Sequence, residues 1–124
     1  MNEKSQVPGA PVSVVVIGVE NLDRSLEFYA GTLGLEVAER RTWSGPEFER
    51  YWRVPVGTTA RCAFVGHGAD PVGRIQLMEF SGANRKRVRP DNIRRAVGLF
   101  NINIYASDIR RDYDRLKAQG FNFW

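Results

Sequence analysis

Gln76, Met78 and Phe80 alternate along "RIQLMEF", and Asn101, Asn103 and Tyr105 alternate along "LFNINIYA". In a strand every second side chain points to the same face. One face of each stretch therefore carries amide, thioether or aromatic groups, and the other carries Ile75 and Leu77, or Ile102 and Ile104. Two asparagines and a tyrosine turned inward must each find a hydrogen bond. A polar cavity meets that need: Gln76, Asn101 and Asn103 would orient a small ligand, and Met78, Phe80 and Tyr105 would supply contact area. The competing account is that these strands pair differently and the asparagines are wet.

Other reactive groups are sparse. Cys62 is the only cysteine. It lies in the apolar stretch "ARCAFV", where burial as a structural thiol competes with a nucleophilic role. A lone thiol excludes an internal disulfide and fits a reducing, cytoplasmic setting. The only histidine, His67, sits in the turn "GHGAD". Much of the net charge of +4 lies in "RKRVRPDNIRR", Arg85 to Arg95. That run could meet phosphates, but it lacks interleaved aromatics and reads as a solvated linker, so a nucleic-acid partner is not expected. A basic chain disfavours a cationic ligand and tolerates an anionic one.

The elements that must position these residues follow from pattern. No apolar run approaches the ~20 residues of a membrane span, and "MNEKSQVPGAP" has no apolar signal core. Residues 1–11 read as a flexible leader. Val12 to Val19 is a β-branched strand with Val15, Ile17 and Val19 on the helix side and Val14, Val16 and Gly18 opposite. Asn21 caps a helix whose apolar stripe is Leu22, Leu26, Tyr29 and Leu33, and Gly34 stops it. "LEVAERRTW", "ARCAFVGH" and "RIQLMEF" are strands. "SGPEFERYWRVPVGTT" reads as a loop, with room for a helical turn at "PEFERYW". The pattern then restarts: a strand at Leu99–Ala106, a cap at Ser107 or Asp108, a helix with Ile109, Tyr113 and Leu116 on one face, and Gly120. "FNFW" begins another strand. The expected class is α+β: a βαβββ module at 12–80, a linker at 81–97, and a truncated second copy at 98–124. Its mixed, curved sheet would carry the helices on its outer face.

"VENLDRSLEFYAGTLGLEV", "DPVGRIQLMEF", "ASDIRRDYDRLKAQG" and "FERYWRVPVGTTARCAFV" resemble the vicinal oxygen chelate superfamily of glyoxalases, bleomycin-resistance proteins and extradiol dioxygenases. The resemblance spans residues 12–124 and implies paired βαβββ modules forming a cup that holds metal and substrate. It also implies metal ligands at Val14, at Gln76 and at Asn101, with a fourth on a strand beyond Trp124. Here those positions have lost their chemistry. Valine donates nothing, and two neutral amides suit a transition metal poorly. No metal or other cofactor is therefore expected. The incomplete second module would leave the Leu99–Ala106 edge unpaired, which implies a homodimer, a higher oligomer or a longer product.

Three functions are thus in play. One is a binder of a small apolar or anionic molecule without a transition metal. Another is a lactoylglutathione lyase-like lyase, or an isomerase or dioxygenase relative, whose metal or base is completed elsewhere. The third is an assembly protein with a degenerate site.

Overall fold

A computed structural model describes residues 12–86 and 102–123 of the chain. The leader 1–11 and much of the expected linker, including Arg87 to Arg95, lie outside the described residues, as does Asn101. The chain divides after Arg85 into two compact units, Met1–Arg85 and Lys86–Trp124.

In the first unit, β1 (Val14–Gly18), β2 (Glu36–Trp43), β3 (Thr59–Gly66) and β4 (Arg74–Ser81) form one sheet in the order β1-β4-β3-β2. β1 runs parallel to β4, and β3 is antiparallel to both β4 and β2. This is an α+β, βαβββ-like module with an open, four-stranded mixed sheet. The parallel β1–β4 pair needs a crossover, and α1 (Leu22–Leu26) begins it. Asn21 Oδ1 accepts a hydrogen bond from the Arg24 backbone N–H at 3.0 Å, as the cap position requires.

The stripe expected on this helix is only partly kept. Leu22 and Leu26 are buried with Ala63, Val65, Ile75 and Leu77, and Ile17, Val19, Tyr29 and Leu35 pack around them. After Leu26 the backbone widens into a π-helical turn, Glu27–Thr32, in which Leu33 N–H donates to Phe28 O at 2.9 Å. The wider turn carries an extra residue, so later side chains rotate relative to an α-helical stripe. Leu35 joins the core in place of Leu33. Gly34, at φ +82°, ends the turn in the left-handed region that glycine adopts without a Cβ clash.

The aromatic stretch forms a helix, α2 (Pro46–Trp52), at the "PEFERYW" where the sequence left room for a helical turn within a loop. It departs from the expectation of helices on the outer face alone, because Phe48 packs against Ala60, Cys62 and Met78 on the side opposite α1. Trp43, Trp52, Val54, Phe64 and Phe80 surround that cluster. Burial of these rings is the force that folds the segment back: each fully buried large side chain contributes about 1.5–3 kcal/mol.

The second unit contains α3 (Ile109–Ala118). Asp108 Oδ1 accepts from Arg111 N–H at 3.0 Å, and Gly120 follows at φ +92°. The two caps match: Asn21 and Asp108 share a φ of −142°. Tyr113 and Leu116 are half-buried, whereas Ile109 is exposed. The strand expected over Leu99–Ala106 is not formed in its described part, 102–106, nor is "FNFW" a strand over 121–123. Alternating apolar residues make a strand only when a neighbour completes the hydrogen-bond ladder. No such ladder forms here among the described residues. They contain no helix long and apolar enough to cross a membrane.

Candidate functional site

β4 holds the centre of the first unit, with β1 on one side and β3 on the other. Ile75 and Leu77 face α1, so alternation turns Arg74, Gln76, Met78 and Phe80 to the opposite, inner face. Register sets their neighbours. Gln76 lies between Val16 of β1 and Phe64 of β3, while Met78 lies between Gly18 and Cys62. Val14 is opposite Arg74. Arg41 and Glu39 of β2 are opposite Cys62 and Phe64 and form an ion pair on the same face.

This inner face has two halves. Under α2 it is a packed aromatic core. Phe80 stacks on Phe48 with ring centroids 6.0 Å apart and meets Trp52 edge-on at 5.8 Å. Met78 is completely buried. These two side chains, expected to give a ligand contact area, are occupied by the protein's own rings. The other half carries Val14, Val16, Phe64, Gly66, Arg74 and Gln76. Val16 is exposed there, and Val14 and Phe64 are half-buried.

Gln76 is the polar centre of that half. It is 5% exposed, and among the described residues its Nε2 has no partner within ordinary hydrogen-bond geometry. A buried donor left unpaired costs about 1–3 kcal/mol, and the Cys62 thiol on the same face is the group that this amide acts on. Burial pushes the Cys62 thiol above its ordinary pKa, and the neighbouring Gln76 amide opposes that shift. A fully buried thiol held protonated is a poor nucleophile.

The remaining expected residues lie in the second unit. Tyr105 is fully exposed, and Asn103 sits in the same ladder-free stretch, exposed and with an interaction of its own. Asn101 lies outside the described residues. Phe64, Arg74 and Val16 were missed as site residues. Alternation along "ARCAFV" and "RIQLMEF" contained the signal, since Phe64 is two residues from Cys62 and Arg74 two residues from Gln76.

A transition metal does not fit the described residues. No group of three His, Cys, Asp or Glu residues comes together among them. Val14 has no donor atom, Gln76 offers one neutral amide, and His67 is exposed in a turn.

The outer face carries a separate ionic cluster. Glu79 Oε2 accepts from Leu22 N–H at 2.9 Å and from Arg61 at 2.6 Å, and Arg61 also pairs with Asp23 at 3.6 Å. The hydrogen bond from Leu22, followed by that from Arg61, holds the Glu79 carboxyl below its ordinary pKa. Arg85 donates to the backbone oxygens of Val19 and Glu20, at 3.3 and 2.9 Å. These contacts fix the β1–α1 junction. The shallow depression beside them, lined by Leu22, Arg40, Thr42 and Arg61, is thus a structural neighbourhood.

Known proteins with this architecture agree with the topology. The chain superposes on a glyoxalase family protein from Bacillus cereus with a TM-score of 0.75 at 22% identity, covering 90% of this chain and 72% of that one. The trypanothione-dependent glyoxalase I of Leishmania major gives a TM-score of 0.59 at 24% identity, covering 88% and 66%. In sequence, the chain is 29% identical over 116 residues to a 2-epi-5-epi-valiolone epimerase from an Actinomyces species. That match takes in 91% of this chain but only 61% of the epimerase's length. Residues 12–124 match the family model for the Glyoxalase/Bleomycin resistance protein/Dioxygenase superfamily, and the chain belongs to that superfamily.

Proposed function

We propose that the chain binds a small apolar or anionic molecule on the inner face of its sheet, without a transition metal. The observation that supports this is the buried Gln76 amide, whose Nε2 has no partner within ordinary hydrogen-bond geometry among the described residues, at a position where the superfamily resemblance implies a metal ligand. An amide N–H turned to this face suits an organic oxygen acceptor, and Val14 on the neighbouring strand offers a metal no donor atom. Val14, Val16 and Phe64 would bound the molecule within the first unit. Thermal-shift and ligand-detected NMR screens of small apolar, anionic and cationic molecules in chelator-treated buffer test this reading. Stabilisation by apolar or anionic members is expected. Stabilisation only after a transition metal is restored would contradict it.

A second reading rests on the similarity to the epimerase. In that reading a longer product or a partner copy completes a metal or base, and the chain acts as an isomerase or lyase. Turnover of 2-epi-5-epi-valiolone, with and without added divalent metal, separates the two. A homodimer is proposed alongside, because no described strand pairs with the outer edge of β1.

A further inference from the structure

The segment that leaves β4 is fixed at two points. At its start Gly82 turns the chain at φ +86°, in the left-handed region, and a Cβ there would come within 3.4 Å of Gly57 O and 3.5 Å of Thr58 Cα. That packing places it beside the beginning of β3. Three residues later, Arg85 reaches the end of β1, on the other side of β4. One of its terminal nitrogens donates to Val19 O at 3.3 Å and to Glu20 O at 2.9 Å. Ala83, between these points, is half-buried. Val19 N–H donates to Met78 O at 2.8 Å, just past the last paired residue of β1. The carbonyls of Val19 and Glu20 lie beyond the ladder, where no described strand offers them a donor, and Arg85 supplies one. Glu79 holds the same turn from the other side through Leu22 N–H.

We propose that residues 82–85 form a strap, hinged at Gly82 and latched by Arg85, that closes on the β1–α1 turn and opens without unfolding the sheet. Hinge and latch differ in kind. The hinge is a close backbone approach that only a glycine fits. The latch is a charge-assisted contact from one exposed side chain, which salt weakens and water replaces. A closed strap fixes the entry of α1. An open one gives two carbonyls back to water and lets that entry fray. Glu79 reports the difference: the Leu22 hydrogen bond, then Arg61, which it shares with Asp23, and last Arg85 hold its carboxyl below its ordinary pKa.

The whole chain and its variants Arg85→Met, Arg85→Lys and Lys86→Met test this. Hydrogen exchange at the amides of Leu22, Arg24 and Ser25 follows the turn, nitrogen relaxation at Ala83–Lys86 follows the strap, and a carbon NMR titration follows Glu79. Arg85→Met should speed exchange at the three amides about fivefold, the loss of one ordinary hydrogen bond. It should also raise the mobility of Ala83–Lys86 and the pKa of Glu79, and leave exchange in β3 unchanged. Arg85→Lys should restore part of the protection, and Lys86→Met should change nothing. Molar salt should carry the native chain towards Arg85→Met behaviour. Native exchange and mobility in Arg85→Met would overturn the strap. Equal effects of Arg85→Met and Lys86→Met would overturn it too, since they would trace to the charge of the segment and not to the latch. Arg85 lies on the surface, so its replacement leaves the core intact, and the salt comparison needs no variant.

Discussion

At Gln76 and Cys62, neighbours in one sheet face, burial has opposite consequences. The amide is left with an unmet donor, while the thiol is simply silenced. Cys62 should resist a thiol-reactive disulfide reagent in the native protein and react stoichiometrically once denatured; rapid native labelling would contradict its burial. Glu79 makes a prediction of the other kind. Its folded pKa lies below the ordinary 4.5, so its stabilising effect is full at neutral pH and fades as pH falls through the folded value. Glu79→Gln keeps an acceptor for Leu22 N–H but loses the charge facing Arg61. It should cost about 1 kcal/mol at pH 7 and flatten the acid limb of a denaturation series. Gln76 was legible in the sequence because strand alternation depends only on parity. The same parity puts Arg74 on that face, but its contacts with Gly66 across the sheet and with Asp70 in a turn have no local signature.

Among the elements, α1 and α3 were the most legible, since Asn21 and Asp108 cap through one side-chain atom and Gly34 and Gly120 stop through one backbone angle. The π-helical turn was not, because an apolar stripe of spacing three and four looks the same until the core decides where the turn widens. α2 was legible only as room for a helical turn at "PEFERYW". Its helix is short, begins after Gly45 at φ +99° and ends on Arg53 at φ +53°, so tertiary packing of Phe48 and Trp52 sustains it more than local propensity does. Phe48→Ala should destabilise the unit by about 3–5 kcal/mol and change the fluorescence of Trp43 and Trp52. Arg53→Gly should stabilise it by roughly 1 kcal/mol, because a Cβ in the left-handed region is disfavoured by about that much. Chemical denaturation measures both.

For the whole molecule, the two sheet edges differ. β2 displays Glu36, Glu39, Arg40 and Arg41, charges that discourage edge pairing, whereas β1 displays valines. Association through β1 should give a dimer by light scattering at micromolar concentration, and Val16→Lys should shift it towards monomer. A native monomer would refute that proposal. Sequence pattern reached the βαβββ order because each element carries its own signal. It could not reveal that half the inner face is filled by α2, since that depends on rings brought together from four separate elements. The central claim is that this face binds without a transition metal. Calorimetric titration of zinc into the tag-free chain tests it most directly. No stoichiometric zinc binding at micromolar concentration is expected of the native chain. Tight, one-to-one zinc binding by the native chain would contradict it.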